Sequence, residues 1–361
     1  MRSHNIVRAM IRLRSGAMAP EEITSEWLSE KLGDDVSITG ERRIGDGLVG
    51  MNIRYELAVP AASALPTSII AKMPSPDPTS RATGIALRNY EREVKFYDQI
   101  APTVDIRVAR CFHGEWHESD GDFVLLMEDL SPGEQGNQVT GCSAEMSSRA
   151  VLELARLHGP RWADPTLAAI EFLGRREAGD SERLQMIWTM CAPGFFATYS
   201  KYLDSEGIAL IERFGVQIPA WIEGHTLPDT VTHGDYRLDN LMFASDAGGY
   251  PIATVDWQTP GHGSASGDVS YFLGAGPPSE VRREIERGLV DQYCAALTGY
   301  LVDVDGAEFW RQYCRDAYAG IIMSVAASQL VGGNERSEAM FAAMATRHVR
   351  HALEVGAEAL I

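Results

Sequence analysis

Several things are scarce in this chain, beginning with cysteine. The five cysteines, Cys111, Cys142, Cys191, Cys294 and Cys314, are odd in number and show neither a CxxC pair nor a cysteine–histidine ligand spacing. That excludes a disulfide framework and a zinc ribbon, and they read as thiols in a reducing compartment. Positive charge is also scarce: 32 Lys+Arg against 50 Asp+Glu leave a formal charge of -18. This is the wrong sign for tracking nucleic-acid phosphates, so no nucleic-acid partner is expected. A cationic substrate suits such a field, but so does plain solubility, and charge alone names no ligand. Long apolar runs are missing too. The most apolar late stretch, Ala317 to Val331, is interrupted by Ser324, Ser328 and Gln329 and is too short to span a bilayer. Met1 to Pro20 carries Arg2, Arg8, Arg12 and Arg14 without an acidic residue, yet lacks the apolar core of a signal peptide. A soluble cytoplasmic protein without membrane partners is expected, and no repeat or low-complexity tract suggests otherwise.

What is present is enough apolar material for two lobes: 361 residues, 45% hydrophobic. After a short amphipathic helix from Pro20 to Gly33, β-prone runs follow at Val36 to Thr39, Ile53 to Val59, Ser68 to Met73, Val108 to Phe112 and Phe123 to Met127. One helix, about 84–100, interrupts them, with Tyr90, Val94 and Tyr97 on one stripe. The turn-rich segment from Ser131 to Cys142 reads as a connector. Beyond it helical periodicity dominates, at roughly 145–158, 181–203, 279–300, 307–330 and 336–358. The expected fold is α+β: a small antiparallel sheet lobe with one inserted helix over residues 1–130, and a larger, mainly helical lobe over 131–361.

Within the helical lobe one β-prone stretch, Val231 to Trp257, gathers the chemistry. Thr232-His233-Gly234-Asp235-Tyr236-Arg237-Leu238-Asp239-Asn240 precedes an apolar run, a Gly-rich turn at Gly248-Gly249, and a second run ending at Val255-Asp256. Two such runs make a hairpin, so Asn240 and Asp256 are expected at its open end, with Asp235 one tight loop away. An amide and two carboxylates are what Mg²⁺ takes when phosphate oxygens and water complete its shell. Phosphoryl transfer needs that metal, a base for the attacking hydroxyl and positive charge on the phosphates. The reading gives Asp256 and Asn240 to metal and Asp235 to the acceptor hydroxyl. Arg237 is open between reaching the transferred phosphate and holding its own loop by an ion pair. Any one of these residues alone would be an ordinary turn former; the joint spacing carries the reading.

HGDYRLDN followed by VDWQ resembles the catalytic loop and metal-binding Asp motif of the aminoglycoside phosphotransferase and choline kinase superfamily, which has a bilobal protein-kinase-like fold. DWQ and the later Gly267-Asp268-Val269-Ser270-Tyr271-Phe272-Leu273 look most like its ecdysteroid-kinase-like branch, and HGDYRLDNL is also similar to the kinase domain joined to certain acyl-CoA dehydrogenases. The resemblance implies a small-molecule kinase using Mg²⁺ and ATP on an aminoglycoside, choline, steroid or hydroxyacyl type of acceptor. Unlike protein kinases, the chain has no Arg between His233 and Asp235, puts Trp257-Gln258 after Asp256, and lacks an Ala-Pro-Glu element. A protein substrate controlled by an activation loop is therefore disfavoured.

The first lobe adds matching parts in order. Ile44 to Gly50, with Gly45, Gly47 and Gly50, forms a Gly-rich turn able to approach phosphates. Lys72 closes an apolar strand. Glu93, with Tyr90, Phe96 and Tyr97 as its helical neighbours, is its expected partner, and Glu91 is the weaker candidate. Phe123 to Leu130 resembles a hinge whose backbone at Glu128 and Leu130 would bond adenine, which leaves ATP against GTP open. Asp268, at an expected helix start, would cap that helix and brace the catalytic loop. His158 reads as a packing histidine. A nucleotide-binding module without transfer is the second reading, and metal-dependent hydrolysis a third that leaves Lys72 and the glycine turn unused.

Overall fold

The computed structural model describes residues 19–45, 49–175, 179–331 and 333–361. The Arg-rich start and Gly47 lie outside the described residues. The chain divides into two compact units: one runs to Val94 and includes Arg110–Asp129, the other comprises Lys95–Ala109 and Leu130–Ile361.

In the first unit, α1 (Ser25–Leu32) starts where the Thr24 hydroxyl accepts the Trp27 N–H and stops at Gly33, whose φ of 74° is left-handed. Five strands follow: β1 (Ser37–Ile44), β2 (Gly50–Ala58), β3 (Ser68–Pro74), β4 (Cys111–Trp116) and β5 (Phe123–Glu128), in the antiparallel order β1-β2-β3-β5-β4. Period-2 alternation sets the core. Met51, Ile53, Tyr55 and Leu57 of β2 pack with Ile69, Ala71 and Met73 of β3, Val124 and Leu126 of β5, and Leu28 of α1. Ile70 and Lys72 therefore point to the opposite face of the sheet.

Two expectations are corrected here. The single helix at 84–100 is α2 (Pro78–Ala86) and α3 (Asn89–Lys95), with Phe96–Ile100 continuing as a wider turn. Asp77 caps α2 and Pro78 opens it, and the chain breaks at Arg88, whose φ of 57° no continuous helix accepts. The strand expected at Val108 to Phe112 begins at Cys111, because Val108 instead forms a parallel bridge with Thr254 in the second unit.

The second unit holds β6 (Glu134–Gln135), α4 (Ala144–His158), β7 (Gly174–Arg175), α5 (Asp180–Tyr199), α6 (Ser205–Phe214), α7 (Ile218–Glu223), β8 (Asp229–Thr232), β9 (Leu241–Ser245), β10 (Gly248–Thr254), β11 (Gly261–Ser264), α8 (Ala265–Ala275), α9 (Ser279–Leu297), α10 (Gly306–Arg315), α11 (Tyr318–Leu330) and α12 (Glu335–Glu354). The expected helix 307–330 is thus two helices, divided at Asp316–Ala317. Two small sheets, β10-β9-β6 and β7-β11-β8, carry the stretch from Val231 to Trp257. The helical core is aromatic: Phe214 stacks on Tyr318 at 4.0 Å, and Trp188, Phe195 and Phe341 are buried with them. Three aromatics of α5, Trp188, Phe195 and Tyr199, are thus part of this core. Among the described residues no helix is long and apolar enough to cross a membrane.

Candidate active site

In the first unit, Lys72 Nζ lies 2.7 Å from Glu93 Oε1, with both residues buried. A buried charge persists only with a partner, and the helix restart at Asn89 decides which glutamate supplies it. That restart turns Glu93 toward the sheet and leaves Glu91 to Arg88, whose Nε is 2.7 Å away. Gly45 has a left-handed φ of 67°, and Gly50 opens β2. Glu128 gives its N–H to the Arg110 carbonyl at 2.8 Å, so that N–H is already used within the unit. The following Asp129 is tied to Arg54 at 2.7 Å and Ser68 at 2.9 Å. Leu130 belongs to the second unit, where its carbonyl accepts the Gly133 N–H.

In the second unit, β9 and β10 form the expected hairpin with Leu241 opposite Thr254. The Val255 N–H bonds the Asn240 carbonyl at 2.9 Å, which brings Asn240 and Asp256 to one open end. Asp256 has φ of 65°. A non-glycine residue in the left-handed region is uncommon, and such residues gather at functional sites.

The loop before Asn240 is braced from below by α8. Asp268 accepts the His233 N–H at 2.6 Å and the Gly234 N–H at 3.0 Å, and His158 Nε2 lies 3.4 Å from it. Burial alone would raise the Asp268 carboxyl. The hydrogen bond and charge of His158, with His233, outweigh it and hold the carboxyl below its ordinary value. The brace is as expected; the cap is not, since Ser264 is the residue that precedes α8, no side chain caps it, and the Asp268 carboxylate is spent on the loop. Gly234 is required sterically: its φ is 79°, and a Cβ there would lie 2.4 Å from the Thr259 carbonyl oxygen. The Asp235 N–H donates to His233 Nδ1, so His233 carries its proton on Nε2 and gives it to the Val255 carbonyl. Trp257, fully buried, stacks on Phe96 at 3.8 Å.

Asp235 itself is surrounded by donors. Oδ2 accepts Arg237 Nε at 3.0 Å and Asn240 Nδ2 at 3.1 Å, and Oδ1 accepts the Tyr271 phenol at 2.7 Å. The other side of the Arg237 guanidinium meets Asp239 at 2.8 Å, and Arg336 of α12 meets Asp239 at 3.4 Å. Burial opposes the Arg237 charge, but Asp235, Tyr271 and Asp239 more than offset it and raise its pKa. Arg237 is thus occupied with its own loop. Tyr271, Arg336 and Met340, whose sulfur is 3.2 Å from Arg237 Nη1, were given no place at the site by the sequence. Tyr271 was findable, since it follows Asp268 by three residues and so shares its helix face. Nothing local pointed to α12.

The donor set bears on a divalent cation. Among the described residues no cluster of three or more His, Cys, Asp or Glu side chains could hold a metal. Asp256 and the Asn240 amide oxygen, whose Nδ2 is committed to Asp235, fit Mg²⁺, which takes few protein ligands and fills its shell with phosphate and water.

A model of the phosphotransferase enzyme family matches residues 79–310. No curated protein sequence matches the chain significantly. Among solved structures, ethanolamine kinase from Plasmodium vivax aligns with TM-score 0.55 at 9% identity, covering 100% of this chain and 97% of that one. Choline kinase from Cryptosporidium parvum aligns with TM-score 0.53 at 11% identity, covering 99% and 96%. The GDP complex of an aminoglycoside 2'-phosphotransferase variant aligns with TM-score 0.53 at 14% identity, covering 92% and 95%. At these identities the structures show a shared fold.

Proposed function

Because the chain belongs to the phosphotransferase enzyme family, we propose that it moves the γ-phosphoryl group of ATP to a hydroxyl of a small molecule. The nucleotide is assigned these residues: Lys72, oriented by Glu93, meets the α- and β-phosphates, Gly45, Gly47 and Gly50 cover them, and the backbone of Glu128 and Leu130 takes the base. The second unit is assigned the chemistry. Asn240 and Asp256 would hold Mg²⁺, which neutralises charge on the phosphates. Asp235 accepts the proton of the acceptor hydroxyl as its oxygen bonds phosphorus, and the bond to the leaving ADP oxygen breaks with its electron pair. Arg237 aligns Asp235.

The observation that carries this reading is the Asp235 carboxylate, which is held by three donors and yet 20% exposed. A carboxylate needed only for structure would be closed off by its partners; this one is fixed in direction and open to an acceptor. Structural relatives named for ethanolamine, choline and aminoglycosides, together with a net charge of -18, favour an amine-bearing alcohol. The ecdysteroid-kinase-like resemblance, carried by Asp256-Trp257-Gln258, favours a larger apolar one. The test is a panel of both kinds of hydroxylated metabolite, read as acceptor-dependent ADP release. With the acceptor found, Asp235→Asn is expected to lose about 10²- to 10⁴-fold in rate while ATP affinity by calorimetry is kept. Parental transfer by the mutant removes Asp235 as base, and ATP binding without turnover on any acceptor leaves a binding module.

A further inference from the structure

Asp235 offers four lone-pair positions, two on each oxygen. Arg237 Nε and Asn240 Nδ2 occupy Oδ2, and the Tyr271 phenol occupies one position on Oδ1. Among the described residues no other donor reaches the carboxylate, so a single position on Oδ1 is left for an incoming hydroxyl. We propose that Tyr271 is a positioning residue for the proton acceptor, fixing the rotation of the Asp235 carboxylate so that the remaining lone pair of Oδ1 faces the substrate. This rests on the reading of Asp235 as the base.

The surroundings of Tyr271 are built to hold it still. Its ring, 5% exposed, stacks on His348 at 5.3 Å and 18°. His348 is fully buried, and neither ring nitrogen has a hydrogen-bond partner among the described residues. An imidazole kept there without polar partners is held by shape. It fills a slot left by two glycines: a Cβ on Gly320 would lie 2.1 Å from the ring, and one on Gly274 would lie 2.5 Å from it. α8, α11 and α12 thus close on a flat ring that serves as a shelf for Tyr271. Burial, with the nearby Asp235 charge, keeps the phenol protonated well above its ordinary pKa, so it stays a donor.

Tyr271→Phe removes one oxygen and keeps the ring on its shelf, so the variant should fold. A hydrogen bond to a charged group of this kind corresponds to about 10- to 100-fold in rate. The expected result is a fall in kcat of that size, with the acceptor KM and the ATP affinity unchanged within about twofold and no further loss when Tyr271→Phe is added to Asp235→Asn. In a crystal structure of Tyr271→Phe the Asp235 carboxylate is expected to be rotated or split between orientations. Parental kcat, or losses that multiply cleanly in the double mutant, overturns the proposal. If the parental protein phosphorylates no acceptor, the functional reading fails on its own, and the crystal structure still decides Tyr271: a carboxylate unmoved in Tyr271→Phe overturns the positioning role, and a rotated one upholds it.

Discussion

At the scale of single residues, the groups assigned to chemistry are ones whose charge or backbone is costly where it stands. Lys72 and Glu93 are both buried, so removing either strands the other in a low-dielectric setting. Lys72→Met and Glu93→Gln should therefore each impair transfer, and the double mutant should lose little beyond the worse single one. Steady-state rates of the three variants check this, and cleanly multiplying losses return Glu91 to consideration. Asp256 pays for its left-handed backbone, and Asn tolerates that conformation nearly as well. Asp256→Asn thus isolates the carboxylate. ATP is expected to raise the parental melting temperature only when Mg²⁺ or Mn²⁺ is present, and the metal-dependent increment should vanish in the variant.

At the scale of elements, the hairpin of β9 and β10 was legible because everything in it is local: turn formers, two apolar runs and polar residues within 22 positions of one another. The helix at 84–100 was not, since its break at Arg88 has no proline or glycine to announce it and only packing on the sheet makes it necessary. Close helix packing also reverses an ordinary rule at Gly320. Gly→Ala inside a helix usually stabilises by about 1 kcal/mol. Here the added methyl would meet the His348 ring at 2.1 Å, so Gly320→Ala should instead destabilise by roughly 1–3 kcal/mol in urea denaturation. A stabilised variant would mean that α11 and α12 can part without cost.

At the scale of the whole molecule, the buried histidines make stability depend on pH. Burial, then the charges of Arg347 and Arg282, lowers the His348 pKa from 6.5 to about 3, and burial lowers that of His351 well below its ordinary value. The unfolded chain binds these protons first, so stability is complete above about pH 6.5 and declines as pH falls from there toward 3. Each histidine contributes a slope of at most about 1.4 kcal/mol per pH unit. The unfolding free energy should therefore drop between pH 7 and 5, well before ordinary carboxylates titrate. A stability flat across that interval would show that the two imidazoles are charged or hydrated in the folded protein.

The sequence by itself determined the elements that short-range order can specify: the strand that carries Lys72, which runs on to Pro74, the run from His233 to Asn240 and the hairpin that returns to Asp256. Each depends on spacing within one or two turns of chain, where backbone sterics and side-chain period leave few alternatives. Only the tertiary structure decided which glutamate meets Lys72, that Arg237 is occupied by Asp235 and Asp239, and that Tyr271 and His348 stand behind the carboxylate. Those contacts join positions 21 to 77 residues apart, except the Arg237 pairs. Even there α12 takes part, because Arg336 lies 3.4 Å from Asp239 and the Met340 sulfur 3.2 Å from Arg237 Nη1.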